Sequence, residues 1–159
     1  MYYYPVFLDL RACRVVVIGG GRVAERKITT LLAVGACVTV ISPAFTGKLL
    51  RWAASKKIIA IERCYRRGDL AKGNLVLTAT NNSKVNQSVA EEARRRRIFV
   101  NIADQSMEGG FIVPASFRRR HFTVAVSTGG KNPSEAKEVR DRIKGWMKKK
   151  ETGPKGRGI

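Results

Sequence analysis

The feature that most constrains this chain is a short apolar run closed by three glycines. Val15, Val16, Val17 and Ile18 are consecutive and β-branched, with no polar residue between them. A strand that exposed either face would alternate apolar and polar side chains, so this run predicts a strand over residues 14–19 covered on both faces, as in a parallel sheet. Parallel strands need crossover helices, and the sequence supplies one at once. Ala24, Ile28, Leu31 and Leu32 recur at helical spacing before Gly35, which is suited to ending a helix.

Between strand and helix lies Gly19-Gly20-Gly21-Arg22-Val23-Ala24, a G-x-G-x-x-[G/A] pattern in the context that gives it meaning. Gly19 allows a tight turn, Gly21 lets a pyrophosphate approach the backbone, and Ala24 lets helix and strand pack closely. The anion then rests on the free N–H groups of the helix start. The same rhythm continues with strands expected over residues 37–41, 58–61, 75–80 and 98–102, and helices over 45–54 and around Val85, Val89 and Ala93. The expected fold class is α/β, a Rossmann-type parallel sheet.

Ligands of open α/β sheets lie outside the carboxyl ends of the strands, which nominates Thr80, Asn81 and Asn82 after the fourth strand and Asn101 to Asp104 after the fifth, while Ser42 and Pro43 stand at the end of the second. The second strand lacks the acidic residue that usually accepts a bond from the adenosine ribose. NAD is the expected cofactor, with Arg22 the residue that would argue for NADP. Asp104 is the acidic residue at such a strand end, and it can serve as a general base or cap a turn.

Beyond Asp104 the pattern changes. Residues 111–113 and 122–126 read as two short strands joined by the basic segment Arg118-Arg119-Arg120-His121, and Asn132-Pro133-Ser134-Glu135 reads as a helix start with Ala136, Val139, Ile143 and Trp146 as its apolar stripe. Ser127, Thr128 and Lys131 form either an anion-binding loop or an ordinary strand-to-helix connection. The expected organisation is a Rossmann domain over residues 1–110, strands and a helix over 111–147 that mediate dimerisation, and a basic disordered tail over 148–159. As an open edge, two strands invite pairing with a second copy.

Thirty-one Lys and Arg against 12 Asp and Glu leave a net charge of +19, which predicts an anionic partner. Charge alone does not choose among nucleic acid, an acidic membrane and a polycarboxylate. No apolar run is long enough to span a membrane, and residues 1–10 lack a basic leader, so a cytoplasmic location is expected. Cys13, Cys37 and Cys64 with a single His give no metal-ligand spacing, so no metal site is expected; Cys13 and Cys37 read as small buried hydrophobes.

The sequence resembles the dehydrogenase and chelatase part of siroheme synthases from about residue 4 to residue 143. The resemblance is carried by Tyr4-Pro5-Val6-Phe7-Leu8-Asp9-Leu10, the glycine run through Glu25-Arg26-Lys27, Ala79-Thr80-Asn81-Asn82 with Val85-Asn86, Val100-Asn101-Ile102-Ala103-Asp104, Phe111-Ile112-Val113-Pro114, and Val124-Ala125-Val126-Ser127-Thr128-Gly129-Gly130. It implies oxidation of precorrin-2 to sirohydrochlorin with NAD, with iron insertion as a possible second activity and a homodimer as the assembly. It implies a catalytic role for Asp104, and cofactor contacts at Arg22, Val23, Pro43, Ala44, Thr80 and Asn81. The implied substrate carries eight carboxylates, which gives the basic excess a purpose; Ser127, Thr128, Lys131, Arg118 and Arg119 are the substrate candidates. The chain departs from the family in having Thr128 where a second serine is usual, in residues 105–110, and in lacking much of the helical C-terminal region. The competing reading is a non-catalytic NAD-sensing module whose basic surface binds nucleic acid, although no base-reading motif is evident.

Overall fold

A computed structural model describes residues 3–102 and 109–152. The described residues form two compact units, one within residues 4–111 and the other made of residues 112–152 with Tyr3. The first unit contains β1 (Arg14–Ile18), α1 (Arg22–Ala33), β2 (Cys37–Ser42), α2 (Gly47–Ala54), β3 (Ile59–Glu62), β4 (Leu75–Thr78), α3 (Ser83–Arg96) and β5 (Phe99–Asn101). The strands are all parallel, in the order β3-β2-β1-β4-β5. The expected Rossmann-type α/β architecture is therefore the one observed, with strand order reversing between β1 and β4.

The apolar run of β1 lies at the centre of the sheet. Val15, Val17, Val38, Val40, Leu75 and Leu77 face α1 and α2 through Ala24, Ile28, Leu31 and Leu49. Val16, Ile18, Ile41, Val76, Val100 and Ile102 pack on the other face against Val89, Ala90 and Ala93 of α3 and Leu70. Both faces of β1 are thus covered, which is why its side chains do not alternate in polarity.

The connection from β3 to β4 contains no helix. It is held by a buried carboxylate: Glu92 of α3, 1 % exposed, accepts hydrogen bonds from the Tyr65 hydroxyl at 2.6 Å, Gly68 N at 2.9 Å and Arg96 Nε at 2.7 Å. Burial pushes the Glu92 carboxyl up, but these donors outweigh it and hold the group below its usual value. In the same connection Arg63 makes a two-pronged pair with Asp69, both bonds at 2.7 Å.

The second unit contains β6 (Ala115–Arg119), β7 (Phe122–Val126) and α4 (Pro133–Thr152). Here the structure corrects the sequence reading. Residues 111–113 form no strand; the partner of β7 is β6, antiparallel and in register Arg119↔Phe122, Phe117↔Val124 and Ala115↔Val126. Arg118 and Arg119, expected in the connection, lie in the strand itself, and the turn is Arg120-His121. Arg120 adopts φ 47, a left-handed conformation for which glycine or asparagine is the usual sequence signal, so the hairpin carried no such mark.

Asn132 caps α4 as expected, accepting from Glu135 N at 3.1 Å, and Ala136 is buried, whereas Val139 and Trp146 of the expected apolar stripe stay exposed. The helix continues past residue 147 to Thr152, into the segment expected to be a disordered tail; lysine is a good helix former, and the run 148–150 carries no helix breaker. Cys37 is exposed rather than buried, because it opens β2 opposite Arg14 at the amino edge of the sheet, where the covering helices end. Among the described residues no helix is long and apolar enough to cross a membrane.

Candidate functional site

The carboxyl ends of β1, β2 and β4 bring the predicted cofactor residues to one edge of the first unit. Gly19 N donates to Ile41 O at 2.9 Å, and Ala79 N donates to Ile18 O at 2.8 Å, so the glycine turn is fastened to both neighbouring strands. Gly19 has φ +113, and a Cβ there would meet the Ala79 carbonyl oxygen at 2.5 Å. Only glycine fits the turn at that position.

Gly20, to which the sequence motif assigns no role, is equally constrained. A Cβ on it would fall 2.2 Å from Ala44 O and 2.9 Å from Ser42 Oγ, and its carbonyl accepts from Thr46 N at 3.0 Å. The glycine turn is therefore wedged under the loop that carries Ser42, Pro43 and Ala44. Ser42 is buried and its hydroxyl accepts from Ala44 N, while Pro43 and Ala44 are exposed above it.

Gly21 differs from both. Nothing lies within 4 Å of a Cβ built on it, and its backbone is ordinary extended chain, φ −85 and ψ −171. It is the N-cap of α1 and supplies no side chain to the first-turn N–H groups. An uncapped helix start facing open space, with Arg22 and Val23 exposed beside it and Ala24 fully buried beneath, fits the pyrophosphate of a dinucleotide. The acidic Glu25 of this first turn is diverted from the opening: it accepts from the Thr46 hydroxyl at 2.8 Å and pairs with Lys48 at 3.5 Å. The Thr46 bond, aided by Lys48, holds its carboxyl below the usual value.

On the other side of the reversal point, Thr80 and Asn81 leave the sheet just past Ala79. The Thr80 hydroxyl accepts from Asn82 N at 3.0 Å and lies 3.1 Å from Asn86 Oδ1, while Asn86 Nδ2 donates to Thr80 O at 3.1 Å. Asn86 is 3 % exposed, so a buried amide sets the Thr80 backbone. Sequence reasoning gave Asn86 no role of its own, though its place one turn into the helix that Asn82 caps was a usable signal.

Lys27 was also missed. From α1 its ammonium reaches across the sheet edge to Asn101 Oδ1 at 2.6 Å and Thr78 O at 3.3 Å, and Asn101 Nδ2 donates to Phe111 O at 3.1 Å. Together with Gly110 N to Val100 O at 2.8 Å, these bonds bring together the two chain segments that flank residues 103–108. Asp104, the expected catalytic residue, lies outside the described residues.

The substrate candidates belong to the second unit. Ser127, Thr128 and Lys131 share the loop from β7 to α4, which turns through two left-handed glycines, Gly129 and Gly130. The loop uses its own hydroxyls: Ser127 Oγ accepts from Gly129 N at 3.0 Å, and Thr128 Oγ1 accepts from Asn132 N at 2.9 Å and donates to Asn132 O at 2.9 Å. Adjacent positions on a strand point to opposite faces, so Arg118 and Arg119 leave opposite faces of β6. Arg118 is exposed on the face that includes Ser116; Arg119 lies on the more buried face with Phe117.

Residues 6–115 match the model of a family described as putative NAD(P)-binding. The chain belongs to this NAD(P)-binding family. Among its relatives are the siroheme synthase of Psychromonas ingrahamii, 38 % identical over 143 residues, and siroheme synthase 2 of Klebsiella pneumoniae, also 38 % identical over 143 residues. The matches cover 90 % of this chain but only 30 % and 31 % of those proteins, so the chain spans about a third of their length. A solved structure, SirC, a precorrin-2 dehydrogenase, superposes with a TM-score of 0.77 at 30 % identity, over 93 % of this chain and 71 % of that one. The resemblance drawn from the sequence motifs and the nicotinamide cofactor class drawn from the glycine loop both stand.

Proposed function

We propose that this chain is an NAD-dependent oxidoreductase that converts precorrin-2 to sirohydrochlorin. The observation that carries the reading is the likeness, over most of both chains, to a precorrin-2 dehydrogenase, joined to an open, uncapped helix start at the strand-order reversal. In this reaction a C–H bond of the macrocycle breaks as a hydride leaves and a neighbouring proton is lost. Bound NAD supplies the hydride acceptor. The protein's part is to hold the pyrophosphate on the N–H groups of Arg22 and Val23, to seat the adenosine end against Ser42, Pro43 and Ala44, and to border the nicotinamide end with Thr80 and Asn81. Asp104 is the proposed base for the departing proton.

Ser127, Lys131 and Arg118 are the proposed contacts for the substrate's carboxylates, with Thr128 shaping their loop. A charge of +19 draws such a polyanion from solution and pairs with it. A homodimer is the proposed assembly, supported by the exposed apolar residues Phe122, Val139 and Trp146 of the second unit and by the shortness of its hairpin. The cytoplasm is the proposed location. Anaerobic incubation with precorrin-2 and NAD tests the reading: the sirohydrochlorin chromophore is expected to appear only when both are present. Turnover of other acidic metabolites but not precorrin-2 would replace it.

A further inference from the structure

A dinucleotide-binding sheet commonly carries a carboxylate at the tip of its second strand, where it bonds the adenosine ribose and repels a 2′-phosphate. Here that tip is Ser42, buried and already bonded to Ala44 N, and it offers no charge. The neighbouring strand does. Glu62 is the last residue of β3 and sits in parallel register directly opposite Ser42. Strand alternation places its side chain on the same face as Ser42: Val38 and Val40 of β2 lie on the α1–α2 face, whereas Ile61 packs on the other.

The charge pattern of the unit isolates Glu62. Of the carboxylates described in residues 4–111, Asp9, Glu25, Asp69, Glu91 and Glu92 each sit in an ion pair. Glu62 is exposed and, among the described residues, makes none. The cation next to it in sequence, Arg63, is turned away: its guanidinium is occupied by both oxygens of Asp69 and by Cys64 O. In a chain with 31 basic residues, this carboxylate, at the carboxyl end of β3 one strand over from the expected tip, is the group able to discriminate against a further phosphate there. Adjacent strands are about 4.8 Å apart, and the extra methylene of glutamate over aspartate shortens that gap.

We infer that Glu62 of β3 is the specificity-determining residue for the adenosine end of the cofactor, accepting a bond from the nucleoside and excluding a 2′-phosphate. The inference rests on the cofactor reading of the glycine loop, and one calorimetric experiment separates the two. The full chain and its Glu62→Gln, Glu62→Lys and Glu91→Gln variants are titrated with NAD and with NADP. The parent is expected to bind NAD at least about tenfold more tightly than NADP, Glu62→Gln to bring the two within about threefold, and Glu62→Lys to reverse the order. Glu91→Gln removes an equal charge on α3 and leaves the parent ratio intact. A ratio unchanged by Glu62→Gln, or one narrowed equally by Glu91→Gln, overturns the assignment of Glu62. Failure of the parent to bind either nucleotide overturns the cofactor reading itself. Glu62 is exposed and, among the described residues, makes no ion pair, so thermal melts of the variants should match the parent and any change in ratio is a change in recognition.

Discussion

Substituting Gly21 by valine should abolish dinucleotide binding while leaving the fold intact, and substituting Gly19 by alanine should do nearly the reverse. At Gly21 a Cβ meets nothing within 4 Å and the backbone angles suit any residue. The helix loses a favourable N-cap type but the unfolded chain loses freedom, so the two effects leave stability within about 1 kcal/mol of the parent. The same branched side chain fills the space over the first turn of α1, where the pyrophosphate must reach N–H groups. Loss of those contacts is expected to weaken NAD binding by at least 100-fold, about 2.7 kcal/mol or more. At Gly19 a Cβ lands 2.5 Å from Ala79 O with φ +113. Backbone strain of about 1–3 kcal/mol adds to an overlap of similar cost, about 1–3 kcal/mol, so Gly19→Ala should lose roughly 2–6 kcal/mol of stability. Urea denaturation gives the first quantity and calorimetric titration with NAD the second. Parent-like NAD affinity in Gly21→Val would refute the placement of the pyrophosphate, and unfolding of that variant would refute the geometry.

Asp104→Asn should retain NAD affinity and lose about 10²- to 10⁴-fold in turnover of precorrin-2, since the amide keeps the shape but takes no proton; turnover within about threefold of the parent removes Asp104 from the mechanism at that scale. Glu92→Ala should cost about 3 kcal/mol in urea denaturation, because Gly68 N and the Tyr65 hydroxyl lose a charged acceptor. The Glu92 and Asp69 carboxyls are held below their usual values, so their stabilisation is complete above the unfolded carboxylate range and lost as pH falls through the lower folded values. Acid denaturation curves of parent and Glu92→Gln should therefore converge at low pH; curves that stay parallel contradict the assignment. Lys27→Met should speed amide exchange at Gly110, with Lys27→Arg partly restoring protection, because the ammonium fixes Asn101 and through it Phe111 O; unchanged exchange would show that the bond does no positioning.

The legible parts of the molecule are those in which one physical requirement dominates. A strand buried on both faces must be apolar throughout, and residues 15–18 and 75–77 declare that. A helix between sheet and solvent must show one apolar stripe, and Ala24, Ile28 and Leu31 do. Gly19 and Gly21 read as one motif in the sequence, yet the structure separates them: a Cβ at Gly19 would strike Ala79 O, whereas one at Gly21 meets nothing within 4 Å. Gly20 was illegible because its constraint comes from Ala44 O, a backbone atom 24 residues away in the chain. The hairpin of the second unit was misplaced because Phe111, Ile112 and Val113 look more strand-like than Ser116-Phe117-Arg118-Arg119, while the true turn carries neither glycine nor asparagine. Glu92 reads as one more surface charge on a polar helix, and only the tertiary approach of Tyr65 and Gly68 buries it. The same holds for Lys27, whose partner Asn101 is 74 residues distant.

The proposed transfer of a hydride from precorrin-2 to NAD can be followed in a single-turnover experiment under anaerobic conditions with protein in excess over precorrin-2. One NADH is expected for each sirohydrochlorin, with both signals rising at the same rate and both absent in Gly21→Val. Sirohydrochlorin formed at the parent rate without NADH, or tight binding of precorrin-2 with neither product, would contradict the proposed transfer.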